Sequence, residues 1–450
     1  MKPIPGMPKF MLILMAFILV AYAMVRVVNL SQAVQRVKST SDTPSYMRIS
    51  RESILETSFL AGSRPLLFPL LLKVLGGHEV RVVWALGILS IISWSALAIS
   101  VMYVLQISFL KLASFGLILL LSLHRYVIGW DSVLLTESLS LSLMVLFIAG
   151  WLWLASGWRW QKAVFLSGLA FLWACSRDTN AWVVLMIAFF LLLLAGLRLI
   201  DRRSLVLSVV LMVIFFLSNL SADVGGRWVF PFQNVMGHRI LSNPQAVDYF
   251  TNCGMPFSPA LEELTGEFAN GLDRAFFEDP ALADYRLWLH ETGKACYVKW
   301  LLSRPLPSIG EPLAEFNTLM SLENISPLLF SRSFSPILPA RLESILFPQV
   351  YLLPLFIVAL AMVLIAWLTK AWNRTKAWWV VIGMFALVFP HYALTWHGDI
   401  MGIYRHMLGV SLQFYLGFWL LALFGLDSIV ALKPAQERPV QPHWVRNVEQ

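Results

Sequence analysis

The chain has 450 residues, of which 58% are hydrophobic and 13% are charged, and its mean hydropathy is +0.71. This composition predicts an integral membrane protein and excludes an ordinary soluble domain. The net charge of +8 does not indicate a nucleic-acid partner, because the distribution of basic residues along the chain matches the membrane topology expected for the spans. Segment 223–344 carries 9 Lys and Arg against 14 Asp and Glu, whereas the remainder carries 25 against 12, as expected when basic residues stay on the cytoplasmic side of spans.

Ten apolar segments predict an all-α polytopic protein with about ten transmembrane helices. In order, they are 10–28, 82–105, a short run ending near 123, 138–155, a short run between 162 and 176, a run after 180, 205–220, 346–368, 378–396 and 406–424. The basic turns around Lys111, Lys162, RLIDRRS and KAWNRTK then all face the cytoplasm. No small-residue cleavage site follows Lys2 and Lys9, so we expect an uncleaved anchor and both termini in the cytoplasm of the plasma (inner) membrane.

Three parts follow from this topology. They are an N-terminal membrane module (1–222) with a first outer loop (29–81), an extracytoplasmic helical lobe (223–344), and C-terminal membrane helices with a cytoplasmic tail (345–450). In the first loop, RPLLFPLLLKVLGG is too short to span and predicts an interfacial helix on the outer leaflet.

The outer lobe has the signals of helix starts. Ser258-Pro259 and Asp279-Pro280 each place a capping side chain before a first-turn proline. Segment 279–303 places Trp288, Tyr297 and Trp300 among apolar residues and predicts a helix along the membrane interface. Cys253 and Cys296 both fall in this lobe, either as a disulfide in an oxidising compartment or as two separate buried thiols.

The ionisable residues of the membrane parts map to one face. The outer ends of spans and the outer loops hold Asp42, Arg64, His124, Arg125, Asp131, Glu137, Arg177, Asp178, His397, Asp399, Arg405 and His406. The middles of the predicted spans are almost free of charge, which argues against an ion-coupled pump. We therefore expect chemistry at the outer membrane surface.

Several of these residues have a simpler structural interpretation. Asp131 and Asp178 precede helical runs and are equally consistent with N-caps, and Arg177 is consistent with an ion pair to Asp178 alone. Glu137 suits a helix dipole, but an acid at the edge of hydrocarbon is costly and favours a functional role.

Arginine and histidine residues offer anion or metal binding. Arg64 and Arg405 can bind a phosphate through two donors each, although lone arginines also occur beside lipid headgroups. The spacing of His397, Asp399 and His406 matches no compact metal motif. A divalent cation, Mg²⁺ or Mn²⁺, shared between Asp42 and either Asp131 or Glu137 stays open.

Three nucleotide-binding patterns are absent from the sequence: a Gly-rich dinucleotide loop, a Walker loop and a closely spaced Asp-x-Asp pair. A soluble activated donor is therefore disfavoured. A donor already in the membrane fits better.

Five segments together resemble the GT-C superfamily of membrane glycosyltransferases, which includes the bacterial aminoarabinose transferase and the protein mannosyltransferases. They are SDTPSYMRIS, SRPLLFPLLLKVLG, LLTESLSLSLM, YVKWLLSRP and YRHMLGV. The resemblance implies a GT-C-like fold, a polyprenyl-phosphate sugar donor and a catalytic acid at Asp42, with Arg405 as a phosphate contact. The first loop departs from the family because it holds a single acid instead of an Asp-Glu pair.

The sequence thus predicts an inverting glycosyltransferase with a lipid, glycan or protein acceptor. Asp42 is the leading base, with Asp131 and Glu137 as alternatives. The expected phosphate ligands are Arg64, Arg177, Arg405 and His406, and the further candidates are Tyr46, Asp178, His397 and Asp399. An O-antigen ligase that transfers a whole glycan is the nearer alternative, and a transporter or flippase the more distant one.

Overall fold

The computed structural model describes residues 8–269, 276, 278–321, 337–348 and 352–431. Lys2 and the predicted cytoplasmic tail beyond 431 lie outside these residues. The described part of the chain is helical and contains no strand, apart from one parallel bridge between Lys38 and Val133. The prediction of an all-α polytopic architecture is confirmed at this level.

The N-terminal module consists of helices joined by short turns. They are α1 (Lys9–Ala33), α2 (Thr43–Arg51), α3 (Thr57–Leu60), α4 (Leu67–Val74), α5 (Glu79–Val104), α6 (Ser108–Ser122), α7 (Arg125–Ile128), α8 (Thr136–Ala155), α9 (Trp160–Ala174), α10 (Asp178–Gly196) and α11 (Ser204–Val224). The short helix α4 corresponds to the interfacial helix predicted in the first loop.

The second half of the chain continues in the same way. Its helices are α12 (Val229–Val235), α13 (Pro244–Asn252), α14 (Pro259–Glu262), α15 (Ala283–Trp288), α16 (Lys294–Ser303), α17 (Pro305–Met320), α18 (Ala340–Leu346), α19 (Leu352–Leu368), α20 (Ala377–Ala386), α21 (Val388–Gly398) and α22 (Ile403–Ala431). Ser258 and Asp279 both act as the predicted caps, since their side chains accept backbone N–H groups.

Within the described residues, seven helices are long and apolar enough to cross a membrane, or eight if α6 and the segment after it form one bent span. The predicted spans near 123, between 162 and 176, and at 346–368 correspond to α6, α9 and α19. These have 15, 15 and 17 residues, fewer than the roughly 20 that a bilayer requires. The count of ten spans stays a prediction.

The segment after α6, predicted to lie at the outer surface, is largely buried by the surrounding protein, and its side of the membrane stays a prediction. The chain bends by 54° after α6, and both His124 and Asp131 are buried inside the helix bundle. The ring of His124 lies 4.3 Å from that of Phe347, between ring centroids. The polar residues of the segment HRYVIGWDS predict a surface loop, but tertiary packing buries most of them and gives them partners within the bundle.

The described residues form two hydrophobic cores. One joins the membrane helices, and the other, smaller one lies in the lobe between Val229 and Cys296. Helix α17 belongs to the first core, because Phe316 packs on the aromatic rings of α19 and α21. The lobe's own core therefore ends well before the predicted boundary at 344.

Two further features of the lobe bear on the predictions. Trp288, Tyr297 and Trp300 pack on the lobe's core, and their position along the membrane interface stays a prediction. Cys253 and Cys296 form a disulfide across a separation of 43 residues, which settles between the two alternatives left by the sequence.

Candidate functional site

Asp42 lies between two arginines that come from distant parts of the chain. Arg64 donates from Nη2 to Oδ1 at 2.7 Å, and Arg405 donates from Nη1 to Oδ2 at 2.9 Å. Both carboxylate oxygens are therefore occupied by charge-assisted hydrogen bonds. The side chain of Asp42 is 19% exposed and those of Arg64 and Arg405 are 30% and 26% exposed, so a ligand can reach the group.

The first loop is folded so that Asp42 faces these arginines. Ser45 donates its hydroxyl to the backbone oxygen of Asp42 and accepts from Nε of Arg64, both at 2.7 Å. The hydroxyl of Thr43 donates to the backbone oxygen of Leu134 at 3.1 Å and ties the loop to the segment before α8. Local hydrogen bonds thus position both members of the Asp42–Arg64 pair.

Asp42 occupies the N-cap position of α2 but makes no capping hydrogen bond with its side chain. Its side chain therefore does not serve as a helix cap in this structure. Burial alone would raise the pKa of Asp42, but Arg64 and Arg405 outweigh it and hold the pKa below its ordinary value. Asp42 is ionised at neutral pH and is a weak base while both arginines hold it.

Glu137 is the second carboxylate of the site, in the first turn of α8. Its Oε1 lies 3.3 Å from Nε of Arg405 and 3.7 Å from Nη1 of Arg177. The side chain is 3% exposed, and Oε2 has no hydrogen-bond partner among the described residues. Asp42, Glu137, Arg64, Arg177 and Arg405 form what we call the ionic cluster.

Other predicted residues border the ionic cluster. Tyr46 is buried beneath Arg64, whose guanidinium carbon lies 5.1 Å from the ring centroid, and burial raises the pKa of Tyr46. His406 lies 3.5 Å from Arg405 through Nε2 and 3.7 Å from Asp399 through Nδ1. Burial raises the pKa of Asp399, which also accepts from the backbone N–H of Met401 at 2.9 Å.

Asp131 is not brought into the ionic cluster. It accepts from Nη2 of Arg26 at 2.7 Å and from the hydroxyl of Ser138 at 2.5 Å. Arg26 is 2% exposed and also donates to Ser90 and to the backbone oxygen of Ser122. This network joins α1, α5 and α6 inside the bundle. Arg26 lies about 10 Å before the end of α1, at 1.5 Å per residue.

Asp178 and His397 have partners elsewhere. Arg227 donates to both carboxylate oxygens of Asp178 at 2.9 Å, so the predicted pair of Arg177 with Asp178 is wrong. His397 contacts the backbone oxygen of Ser308 through Nε2 at 2.9 Å and the hydroxyl of Tyr297 through Nδ1 at 3.2 Å. Both residues hold the lobe region against the bundle.

A divalent cation does not fit the carboxylates of the site. Among the described residues, no three His, Cys, Asp or Glu side chains lie close enough together to hold a metal ion. Both oxygens of Asp42 and one of Glu137 face guanidinium groups, and Asp131 faces Arg26. These carboxylates leave a cation one oxygen, Oε2 of Glu137, and that oxygen is surrounded by positive charge. No step of the chemistry is therefore assigned to a metal ion.

Sequence reasoning missed Arg26, Ser45 and Arg227, the partners of the predicted acids and arginines. Arg26 carried a signal, since it is a charge at the end of an apolar run and such charges need partners. Nothing in the sequence marks Ser45 or Arg227 as a partner, because their role depends on which helices become neighbours in the fold.

A scan against protein-family models gave no match to the chain, and a comparison with curated proteins gave no significantly similar sequence. The function is therefore argued from the ionic cluster itself.

Proposed function

We propose that the protein is an inverting membrane glycosyltransferase that moves a sugar from a polyprenyl-phosphate donor to a lipid, glycan or protein acceptor at the outer face of the membrane. The observation that carries the proposal is Asp42 between Arg64 and Arg405 at one end of the helix bundle. A carboxylate and adjacent guanidinium groups are the two kinds of group that this transfer requires, namely a base and a phosphate ligand.

The reaction needs one displacement. The acceptor hydroxyl attacks the anomeric carbon and its proton passes to Asp42, while the bond between that carbon and the phosphate oxygen breaks. The electron pair leaves with the lipid phosphate, whose new charge Arg405, Arg64 and Arg177 stabilise. The transition state resembles an oxocarbenium ion, as in glycoside hydrolysis.

The pairing of Asp42 with the phosphate ligands connects donor binding to base strength. A donor phosphate that takes hydrogen bonds from Arg405 and Arg64 draws these donors away from Asp42. The pKa of Asp42 then rises towards its ordinary value, and the carboxylate becomes a better base when a donor is present. Chemistry and donor binding are thereby coupled through the same two side chains.

The charge of the ionic cluster favours a monophosphate donor over the diphosphate of an O-antigen ligase. Three guanidinium groups stand against two carboxylates, which leaves one positive charge. A sugar linked through one phosphodiester carries one negative charge and neutralises it. A diphosphate-linked glycan would carry two.

Two observations support an outer location for the site. The basic turns near Lys162, Arg202 and Lys376 lie at the opposite end of the bundle from the ionic cluster, as expected if they are cytoplasmic. The Cys253–Cys296 disulfide suits an oxidising compartment for the lobe. The proposal thus places the protein in the plasma (inner) membrane with both termini in the cytoplasm.

Reconstituted protein tests the proposal when it is given radiolabelled polyprenyl-phosphate monosaccharides in membranes that contain envelope lipids and glycans. We expect one labelled sugar per acceptor molecule. Transfer only from a diphosphate-linked glycan would identify a ligase instead. Movement of intact donor across the vesicle membrane without transfer would identify a flippase.

A further inference from the structure

Arg64 and Arg177, two of the three arginines in the ionic cluster, lie on separate segments of the chain. Segment 62–67 leads into α4, and segment 175–178 joins α9 to α10. A phosphate that contacts both arginines requires a fixed spacing between these segments, because a guanidinium group binds an anion only within hydrogen-bond distance. The contacts that set this spacing therefore bear on donor binding.

Two ties hold the segments together in antiparallel order. At one end the backbone N–H of Leu67 donates to the backbone oxygen of Cys175 at 3.1 Å. At the other end Arg227 lies between Gly62 and Asp178. Its Nη1 donates to the backbone oxygen of Gly62 at 3.0 Å, and its Nε and Nη2 donate to the carboxylate of Asp178, both at 2.9 Å. Both arginines of the cluster lie between the two ties.

Arg227 is itself too deeply buried to contact a ligand. Its side chain is 5% exposed, and Nη1 also donates to the backbone oxygen and the hydroxyl of Ser221, at 3.0 and 3.2 Å. Its contacts occupy all three guanidinium nitrogens, so any effect on a phosphate passes through the segments that it joins. Lysine cannot reproduce these contacts, because a single ammonium group lacks the planar fork that reaches both segments.

The close approach of the first loop to α11 makes the same junction sensitive to small changes. A Cβ atom added to Gly225 would lie 2.2 Å from the backbone oxygen of Gly62 and 2.6 Å from that of Ala61. Backbone atoms cannot rotate away as a side chain can, so a methyl group at this position displaces segment 62–67. Gly225→Ala therefore moves the segment of Arg64 without removing a charge.

We propose that Arg227 is a positioning residue for donor binding, an inference that rests on the proposed function. It fixes the spacing of Arg64 and Arg177, so that one donor phosphate contacts both guanidinium groups. Gly225 serves the same end, because it lets the backbone of the first loop approach α11 closely enough for Arg227 to reach it.

Binding of polyprenyl monophosphate, the part that all donors of this class share, tests the proposal when the protein is in lipid nanodiscs and the polyprenyl chain carries a fluorescent label. We expect Arg227→Lys to weaken binding by about tenfold or more, as for a lost charge-assisted hydrogen bond. Its control is Arg286→Lys, the same change at a half-buried arginine of the lobe that donates to the backbone oxygens of Phe276 and Asp279. The same titration counts binding sites per protein. A merely structural role would lower that count and leave the affinity of the folded fraction unchanged.

Double-mutant cycles show whether the effect passes through the two arginines of the cluster. We expect Arg227→Lys to cause no further loss of affinity when Arg64 and Arg177 are both replaced by alanine. Gly225→Ala should weaken binding in the Arg177→Ala protein but not in the Arg64→Ala protein. Gly168→Ala, whose added methyl group meets no atom within 4 Å, should leave binding unchanged in all of them.

The outcomes separate this inference from the proposed function. Arg405 is kept in every protein so that residual binding can be titrated. Native affinity of Arg227→Lys, or a loss of the same size with and without Arg64 and Arg177, would overturn the positioning role alone. If Arg227→Lys does not fold, the two backgrounds of Gly225→Ala decide in the same way. No binding of the probe by the native protein would overturn the proposed function and the positioning role with it.

Discussion

Arg405 donates from Nη1 to Oδ2 of Asp42 at 2.9 Å, although 363 positions separate the two residues. The contact joins the start of the last described helix to the first loop and thereby assembles the ionic cluster. Because a phosphate ligand and Asp42 compete for the same guanidinium group, this pair is the point at which donor binding can change the base.

Replacement of Arg405 tests its role as a phosphate ligand. Charge-assisted hydrogen bonds are worth about 1.5–3 kcal/mol, so Arg405→Ala should weaken donor binding by about 10- to 150-fold. Arg405→Lys keeps the charge but loses the planar fork and should be intermediate. Equilibrium binding of labelled donor to purified protein measures the effect, with exposed Arg48→Ala as the control. Donor binding by Arg405→Ala at the native level would contradict the assignment.

The lowered pKa of Asp42 predicts a pH dependence of stability. A carboxylate whose pKa is depressed in the folded state contributes stability above its unfolded pKa, about 3.9, and loses it as the pH falls through the folded value. Asp42→Asn should therefore lower the melting temperature by a constant amount from pH 8 to about pH 5, and the difference should shrink below about pH 4. A difference that shrinks between pH 7 and pH 5 would show a raised pKa instead.

The buried pair of Arg26 with Asp131 should be structural. Asp131→Asn leaves an uncompensated charge on Arg26, which is 2% exposed, and should cost about 3–5 kcal/mol of unfolding free energy. Arg26→Met combined with Asp131→Leu should cost less than either single change, because no charge is left unpaired. Unfolding in lipid of the native protein, Asp131→Asn, the two single changes and their combination gives the comparison. If Asp131→Asn instead kept the native stability and lost turnover, Asp131 would be a catalytic residue.

Cysteine labelling tests the orientation of the bundle. In a Cys175→Ser background, Asp248→Cys in the lobe should react with an impermeant maleimide in intact cells, whereas Arg202→Cys should react only after lysis. Both positions are exposed, so a failure to label reports the side of the membrane and not burial. The reverse pattern would put the ionic cluster on the cytoplasmic side.

Much of the helical architecture and part of the ionic cluster follow from the sequence. Long uninterrupted apolar runs predict membrane-spanning helices, so α1, α5 and α22 are predicted near their observed bounds. Asp42, Arg64 and Arg405 were predicted because they are polar residues next to such runs. The partners of Asp131 and Asp178 were not, since Arg26 and Arg227 become neighbours of these acids only through helix packing.

The most direct test of the central claim is the turnover of Asp42→Asn, measured as release of polyprenyl phosphate from labelled donor in the presence of acceptor. The substitution keeps size and removes basicity, so turnover should fall by about two to four orders of magnitude. Donor affinity should stay at or above the native value, because Arg64 and Arg405 lose a competing carboxylate. Asp248→Asn, an exposed acid of the lobe, serves as the control. Near-normal turnover of Asp42→Asn would contradict the account and move the base to Glu137.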